Sequence, residues 1–498
     1  MNVVDHVACG SFRHPDRPAL RFEETTTTYA ELEDQASRVA RRLASMGIGV
    51  GDRVGLFLPN CAEFVVGYVA ILRVGAIAVS FNAHWKRLEV EAAVADSQPR
   101  VVITDDERAG YVGVAGGPVL LRREELRSLP PVTDDGLVAP IDLAPHTPAV
   151  IVYSSGTTGQ AKGCTLSHGN VVSNIEAKVD YLGIRGDDRL LLFVPLYHCF
   201  GQNAVLNAGL QAGATIVLEP AFSLGRLPEI VRAEAPTMFF GAPPVYIALL
   251  EHLAPGDLGS IRYYFSAAAA MSPSVAIRFQ EIFGHVVHVG YGLTETSPFA
   301  TYNHCTRYRL GSVGTPIRDV QIRIVDPDSG AERSTDEVGE IVIRGPNVML
   351  GYWCRAEETA EVIRAGWLHT GDLGRLDRDG YLYVVDRLKD MINVGGVKVY
   401  PTEVEERLLA HPEVARATVL SVPDATLGER VAAAVVLAEG SRVTPEQLIA
   451  FLRERIADFK VPSVLEIRSE LPVSPTGKVL RGRLRAQLGR AGITKSTG

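Results

Sequence analysis

Ten consecutive residues, Ser154-Ser-Gly-Thr-Thr-Gly-Gln-Ala-Lys-Gly163, crowd hydroxyls, glycines and one positive charge behind the apolar run Ala149-Val-Ile-Val-Tyr153. Glycines let backbone N–H groups turn toward one point, Ser and Thr add donors, and Lys162 adds a charge. Together these make a cradle for polyphosphate, with Ser154, Ser155, Gly156, Thr157, Thr158 and Gly159 as its donors. The expected setting is a strand, then the loop, then a helix opening near residues 167–170. A merely flexible Ser/Gly loop is disfavoured by the length of the run. The spacing is not that of G-x-x-x-x-G-K-[ST], because Gly163 follows the lysine.

Four further segments carry groups fit for chemistry, each with a plainer reading beside it. Thr294 and Glu295 lie in Tyr291-Gly-Leu-Thr-Glu-Thr296, where such a pair alone means a helix N-cap. Asp372 ends Trp367-Leu-His-Thr-Gly-Asp372 and on its own reads as a turn residue. His198 ends Pro195-Leu-Tyr-His198, and a lone histidine is usually structural. Lys478 follows a Pro-Thr-Gly turn, where a lysine is most often solvated.

Positioning these groups requires a large fold. At 498 residues the chain exceeds what one hydrophobic core supports, so two or more domains are expected. Strand-like runs at 53–59, 101–103, 149–153, 190–194, 215–218, 237–240, 263–266 and 286–289 alternate with helix-period segments such as 31–46. This predicts an α/β architecture of largely parallel sheets flanked by helices. The apolar stretch 64–78 reads as a buried helix running into a strand. Beyond about residue 311, segments 320–325, 340–344 and 381–385 alternate as antiparallel strands do, giving a β-rich subdomain. Past Arg387 the pattern becomes strand, helix, strand, strand, helix, strand, helix. A small α+β domain is therefore expected over 387–498, with the large one over 1–386 and the boundary near 386–389.

Composition narrows the functions. Lys plus Arg number 50 against 58 for Asp plus Glu, a net charge of −8, so no general surface for nucleic acid is offered. Arg481, Arg483 and Arg485 read as a solvated helix face. The six cysteines form no CxxC pair, which suits reduced thiols and a cytoplasmic setting. No segment approaches the ~20 apolar residues of a membrane helix, and no secretory leader is visible.

The segment from Tyr153 to Gly163 resembles the phosphate loop of the adenylate-forming superfamily: acyl- and aryl-CoA synthetases, peptide-synthetase adenylation domains and luciferases. The other motifs occur in that family's order. Ala161 departs from its usual Pro. The resemblance implies ATP and Mg²⁺ as cofactors, with Lys162, Ala268, Tyr291 and Gly292 at the nucleotide. It implies Thr294 on the α-phosphate, Glu295 on Mg²⁺, and Asp372 with Arg387 on the ribose. Lys389 becomes a hinge, and Lys478 the catalytic lysine that bridges substrate carboxylate and α-phosphate. His198 becomes a gate between acyl pocket and thiol channel, and Gly395 and Gly396 line the passage for a pantetheine arm. The implied activity is ATP-dependent ligation of a carboxylic acid to coenzyme A through an acyl-adenylate.

By motif alignment the acyl pocket is bounded by His198, Phe200, Ala204, Ala267, Ala268, Ala269, Val289 and Gly290. Ala267 and Ala270 stand where relatives usually have Gly and Pro. No acidic residue is evident to hold an amino group, so a fatty, alicyclic or aromatic acid is expected. Ala221 and Gly395 occupy positions where several relatives carry lysines near the CoA nucleotide, which keeps an acyl carrier protein as an alternative acceptor. A catalytically dead acyl-nucleotide sensor is opposed by intact Lys478, Thr294, Glu295 and Asp372.

Overall fold

A computed structural model describes residues 2–112, 117–131, 137–154, 161–424, 426–473 and 479–493. Its large body is built on two sheets whose central strands are short, wholly buried apolar runs. The first has nine strands among the described residues, ordered Thr315–Pro316, Thr301–Tyr302, Val287–Tyr291, Tyr263–Ser266, Met238–Gly241, Arg189–Leu192, Thr215–Leu218, Pro18–Phe22 and Thr25–Thr28. The run from Val287–Tyr291 to Pro18–Phe22 is parallel throughout, and the edges are antiparallel. The second has seven strands, ordered Gly351–Tyr352, Lys162–Ser167, Pro148–Ser154, Ile77–Ser80, Arg53–Phe57, Val101–Thr104 and Val119–Arg122. Parallel strands buried on both faces need no polar alternation, which is why Val, Ile and Leu dominate them.

The stretch 64–78 forms the helix Ala62–Arg73, nearly every residue of it buried, and then the strand Ile77–Ser80. Its last residue, Arg73, is wholly buried, and its guanidinium is held by both carboxylate oxygens of Glu33 at 2.5 and 2.6 Å. Glu33 comes from the helix Tyr29–Ser45, whose apolar face was legible at helix spacing. A buried charge is tolerated when paired in this two-pronged way.

The third sheet is antiparallel and five-stranded, with Gly339–Arg344 and Trp367–Leu376 at its centre and Leu382–Arg387 pairing with the latter. From Ile392 onward a fourth sheet and three helices build their own small cores, drawn from residues 392–488. The α/β class, the β-rich subdomain and the C-terminal unit read from the sequence are all present.

Two expectations are corrected. The hydroxyl-rich loop joins two antiparallel strands, Pro148–Ser154 and Lys162–Ser167, the second of which was not expected; the helix His168–Leu182, capped by Ser167, opens where it was expected, within 167–170. Lys162-Gly-Cys-Thr-Leu-Ser167 extends because it finds a partner on each side, Pro148–Ser154 and Gly351–Tyr352. Arg481 is no solvated residue. It donates to Glu405 at 2.7 Å and Asp390 at 3.1 Å, so a fixed contact stands where periodicity suggested a wet face.

Candidate active site

Residues 155–160 lie outside the described residues, so Ser155, Gly156, Thr157, Thr158 and Gly159 have no observed place. The ends of their loop do: Ser154 pairs with Lys162 across the two strands. Lys162 Nζ forms an ion pair with Glu358 and sits 5.0 Å from the ring centroid of Tyr352. The Tyr352 hydroxyl in turn donates to Glu295 Oε1 at 2.9 Å. Tyr352 reaches this position because Gly351–Tyr352 adds a short strand beside Cys164 and Thr165. Arg355 then bridges Glu358 at 2.9 Å and Asp96 at 3.1 Å. The Lys162 ammonium, with Arg355 after it, holds the Glu358 carboxyl below its usual range. One lysine and two carboxylates thus face each other around a tyrosine, a mixed-charge surface that an incoming polyphosphate and cation could rearrange.

The strand Val287–Tyr291 ends at the second half of the site. Tyr291 is nearly buried, and its hydroxyl donates to Asp372 Oδ2 at 2.8 Å, while Arg387 Nε lies 3.2 Å from Oδ1. Burial, and then the Asp372 charge, push the Tyr291 phenol well above its ordinary value. Gly292 is required at the next position, since a Cβ there would stand 1.8 Å from the Pro298 carbonyl oxygen. Thr294 and Glu295 follow in a single 3₁₀ turn and are half-buried. The turn is clamped from two sides. Asn174 and Asn347 each donate through Nδ2 to the carbonyls of Thr296 and Phe299. Met349 N–H donates to the Glu295 carbonyl at 2.9 Å.

His198 closes a turn after Leu196. Its Nδ1 accepts from Phe200 N–H at 3.2 Å, and the chain continues as a π-helix over Phe200–Asn207. Such helices are rare and frequent at functional sites. Asn60 fixes this turn from below, donating to the Val194 carbonyl and accepting from Leu196 N–H. Cys199, next to His198, is buried with its thiol pushed up to about 12, a Thr294 side-chain hydrogen bond opposing the shift. Phe200, Ala204, Ala267 and Val289 are buried, and Gly290 is packed so tightly that a Cβ would meet the Phe265 ring at 2.6 Å. Ala268 and Ala269 are exposed, and Ala268 has φ +71°, a left-handed conformation that alanine rarely adopts.

Lys389 lies in the 3₁₀ turn Leu388–Asp390 directly after the last strand of the third sheet. Gly395 and Gly396, at φ +59° and +93°, form the two-residue tip of the hairpin Ile392–Val394 to Val397–Val399. Lys478 lies outside the described residues.

Family models for an AMP-binding enzyme and for the AMP-binding enzyme C-terminal domain match residues 10–353 and 403–478. The chain belongs to the AMP-binding, adenylate-forming enzyme family. It is 34% identical to a long-chain-fatty-acid–CoA ligase of Bacillus subtilis, over 95% of this chain and 92% of that protein. It is 37% identical to a feruloyl-CoA synthase of Amycolatopsis sp, over 95% and 96%. Among solved structures it resembles ATP-bound MatB of Rhodopseudomonas palustris, at TM-score 0.92 and 31% identity, over 99% of this chain and 100% of that one. It also resembles the anthranilate–CoA ligase AuaEII in complex with anthranoyl-AMP, at TM-score 0.90 and 28% identity, over 99% and 98%.

Set within this AMP-forming acid–thiol ligase class, the motifs fall into two groups. Lys162 and Glu295 converge through Tyr352, and Tyr291 converges with Asp372 and Arg387. Thr294, next to Glu295, joins the His198 turn through Cys199. Sequence reading missed Tyr352, Glu358, Asn60 and Glu340. Glu340 accepts from Gly371 N–H at 3.1 Å and pairs with His369 Nδ1 at 2.8 Å, fixing the turn that presents Asp372. The signal for Glu340 was available, since a charge alternating into a buried strand position demands a partner. Tyr352 carried no such signal, because only the added short strand brings it to Glu295.

Proposed function

We propose that the chain joins a carboxylic acid to coenzyme A in two half-reactions, forming an acyl-adenylate with release of pyrophosphate and then a thioester with release of AMP. The observation that carries this reading is the pair of polar arrangements at the ends of these motifs: Lys162–Tyr352–Glu295 on one side, Tyr291–Asp372–Arg387 on the other. The first suits phosphates, the second a diol.

In the adenylation step two anions must meet, so positioning and charge neutralisation are the main tasks. Lys162 leaves Glu358 for the phosphates, the hydroxyls and amides of 154–159 surround them, and Thr294 donates to the α-phosphate. Ala268 bounds the adenine side, and its left-handed backbone fits a functional position. Asp372 accepts from the ribose hydroxyls, with Arg387 beside it. Lys478 bridges the attacking carboxylate and the α-phosphate.

No group of three or more metal-ligating side chains occurs among the described residues. A single carboxylate fits Mg²⁺ nevertheless, because that ion takes one or two carboxylates plus phosphates and water. Glu295 is the residue to hold it, since Tyr352 engages its Oε1 and fixes its orientation. Mg²⁺ there would neutralise phosphate charge.

For the second step the unit 387–498 turns on Lys389 as a rigid body relative to 1–386. That motion withdraws Lys478 and brings the Gly395–Gly396 hairpin tip to the site for the pantetheine arm. His198 gates between acyl pocket and thiol. The acyl group is fatty, alicyclic or aromatic, in keeping with the acids named for the similar ligases of Bacillus and Amycolatopsis. A second reading has specific support: Ala221 and Gly395 offer no cation for the CoA nucleotide, so a carrier protein's phosphopantetheine is an alternative acceptor.

The test is a panel of carboxylic acids assayed for AMP formation, with CoA and with an acyl carrier protein as acceptor. AMP and pyrophosphate in equal amounts are expected. ADP as the product would overturn the proposal.

A further inference from the structure

The helix His168–Leu182 buries one stripe along its length: Val171, Asn174, Ile175, Lys178 and Leu182. The apolar members fill the core as periodicity requires. Asn174 is spent on the Thr296 and Phe299 carbonyls. Lys178 has no comparable polar partner for its amine among the described residues. Its side chain is completely buried, and Nζ has no hydrogen-bond partner among the described residues. Lysine is almost never fully buried unless paired, and methionine would fill the same volume without stranding a polar atom.

What surrounds Nζ is aromatic. The ring centroids of Phe265, Phe240, Phe299, Phe200 and Tyr302 lie at 4.6, 4.8, 5.0, 5.7 and 5.8 Å. Three of these rings also belong to the acyl region. Phe200 follows the His198 turn, and Phe265 and Phe299 are the atoms against which a Cβ on Gly290 would collide, at 2.6 and 3.0 Å. Nζ is therefore enclosed by the same rings that pack around Phe200 and Gly290. Burial moves the Lys178 ammonium well below the ordinary lysine value, and no acidic group among the described residues offsets it.

We infer that Lys178 is a specificity-determining residue at the far end of the acyl pocket, donating a hydrogen bond from Nζ to an oxygen carried on the distal end of the substrate's acyl group. This rests on the ligase reading above and names its substrate class: acids with a terminal hydroxyl or other acceptor oxygen, in preference to the same skeleton ending in hydrogen. The rings exclude water from the amine, so an unoxygenated acid leaves it unsatisfied and an oxygenated one completes it. Sites that hydrogen-bond a substrate hydroxyl discriminate far more strongly than apolar pockets do.

The experiment compares matched acids, 4-hydroxycinnamate with cinnamate and 8-hydroxyoctanoate with octanoate, by pyrophosphate release on the full-length enzyme and on Lys178→Met. The expected result is a kcat/KM preference for the oxygenated member of at least one pair of tenfold or more, and a ratio near one for the same pair in Lys178→Met. Thermal unfolding confirms that the variant is folded. The wild-type comparison stands alone if it is not. No preference in either pair, or a preference that survives Lys178→Met, overturns the inference and leaves Lys178 as a core cation held by the rings. Absence of pyrophosphate release with every acid would instead sink the ligase reading itself.

Discussion

Removing one hydroxyl at Tyr291 tests whether Asp372 grips the nucleotide. The Tyr291 phenol donates to Asp372 Oδ2 at 2.8 Å, and both side chains are under a tenth exposed. A hydrogen bond to a charged group in such a setting contributes about 1.5–3 kcal/mol. With 1.36 kcal/mol per factor of ten, Tyr291→Phe should weaken AMP binding by roughly 10- to 150-fold if that bond holds the carboxylate in place for the ribose. Calorimetric titration of AMP into the wild type, Tyr291→Phe, Asp372→Asn and the double variant forms a closed cycle. The expected outcome is strong coupling: once Asp372→Asn has removed the charge, Tyr291→Phe costs little more. Losses that add to within about 0.5 kcal/mol would mean that the two side chains act independently. Unchanged AMP affinity in Asp372→Asn would refute the ribose assignment outright.

Other outcomes follow from the same geometry. Lys478→Ala should lose adenylation by about 2.7–4 kcal/mol, the cost of one charge-stabilising donor, while thioester formation from a pre-made acyl-adenylate is largely retained, and single-turnover assays of each half-reaction separate the two. Lys389→Pro should spare adenylation and block thioester formation by fixing the hinge torsion, so equal losses in both steps would refute the hinge. His168 is wholly buried and accepts from Val3 N–H through Nδ1 at 3.0 Å, and burial lowers it from 6.5 to about 4. Because the folded value is the lower one, stability is complete above pH 6.5 and is lost as pH falls toward 4, by about 3 kcal/mol. Denaturant titrations across that range should show the loss, and His168→Gln should flatten it.

Much of this arrangement was legible before any coordinates. Strand and helix spacing predicted the α/β body because a strand buried on both faces must be a continuous apolar run, and Arg53–Phe57 and Thr215–Leu218 are such runs. The loop, the Thr294-Glu295 pair, the Asp372 turn and the tail lysine resembled the motifs of the adenylate-forming family and occurred in its order. The strand after the loop was missed, because Lys162-Gly-Cys-Thr-Leu-Ser167 has a single β-branched residue and extends only by pairing on both sides.

Sequence by itself determined which chemical groups the protein owns and which stretches must be buried, because composition and periodicity act locally. Only the tertiary structure decided which groups meet. Tyr352 reaches Glu295 through a short added strand, Glu340 holds the Asp372 turn from a neighbouring strand, and Lys178 ends among five rings drawn from separate segments. Contacts of that kind join residues far apart in the chain, and their free energy depends on the closed, water-free environment that the assembled sheets create.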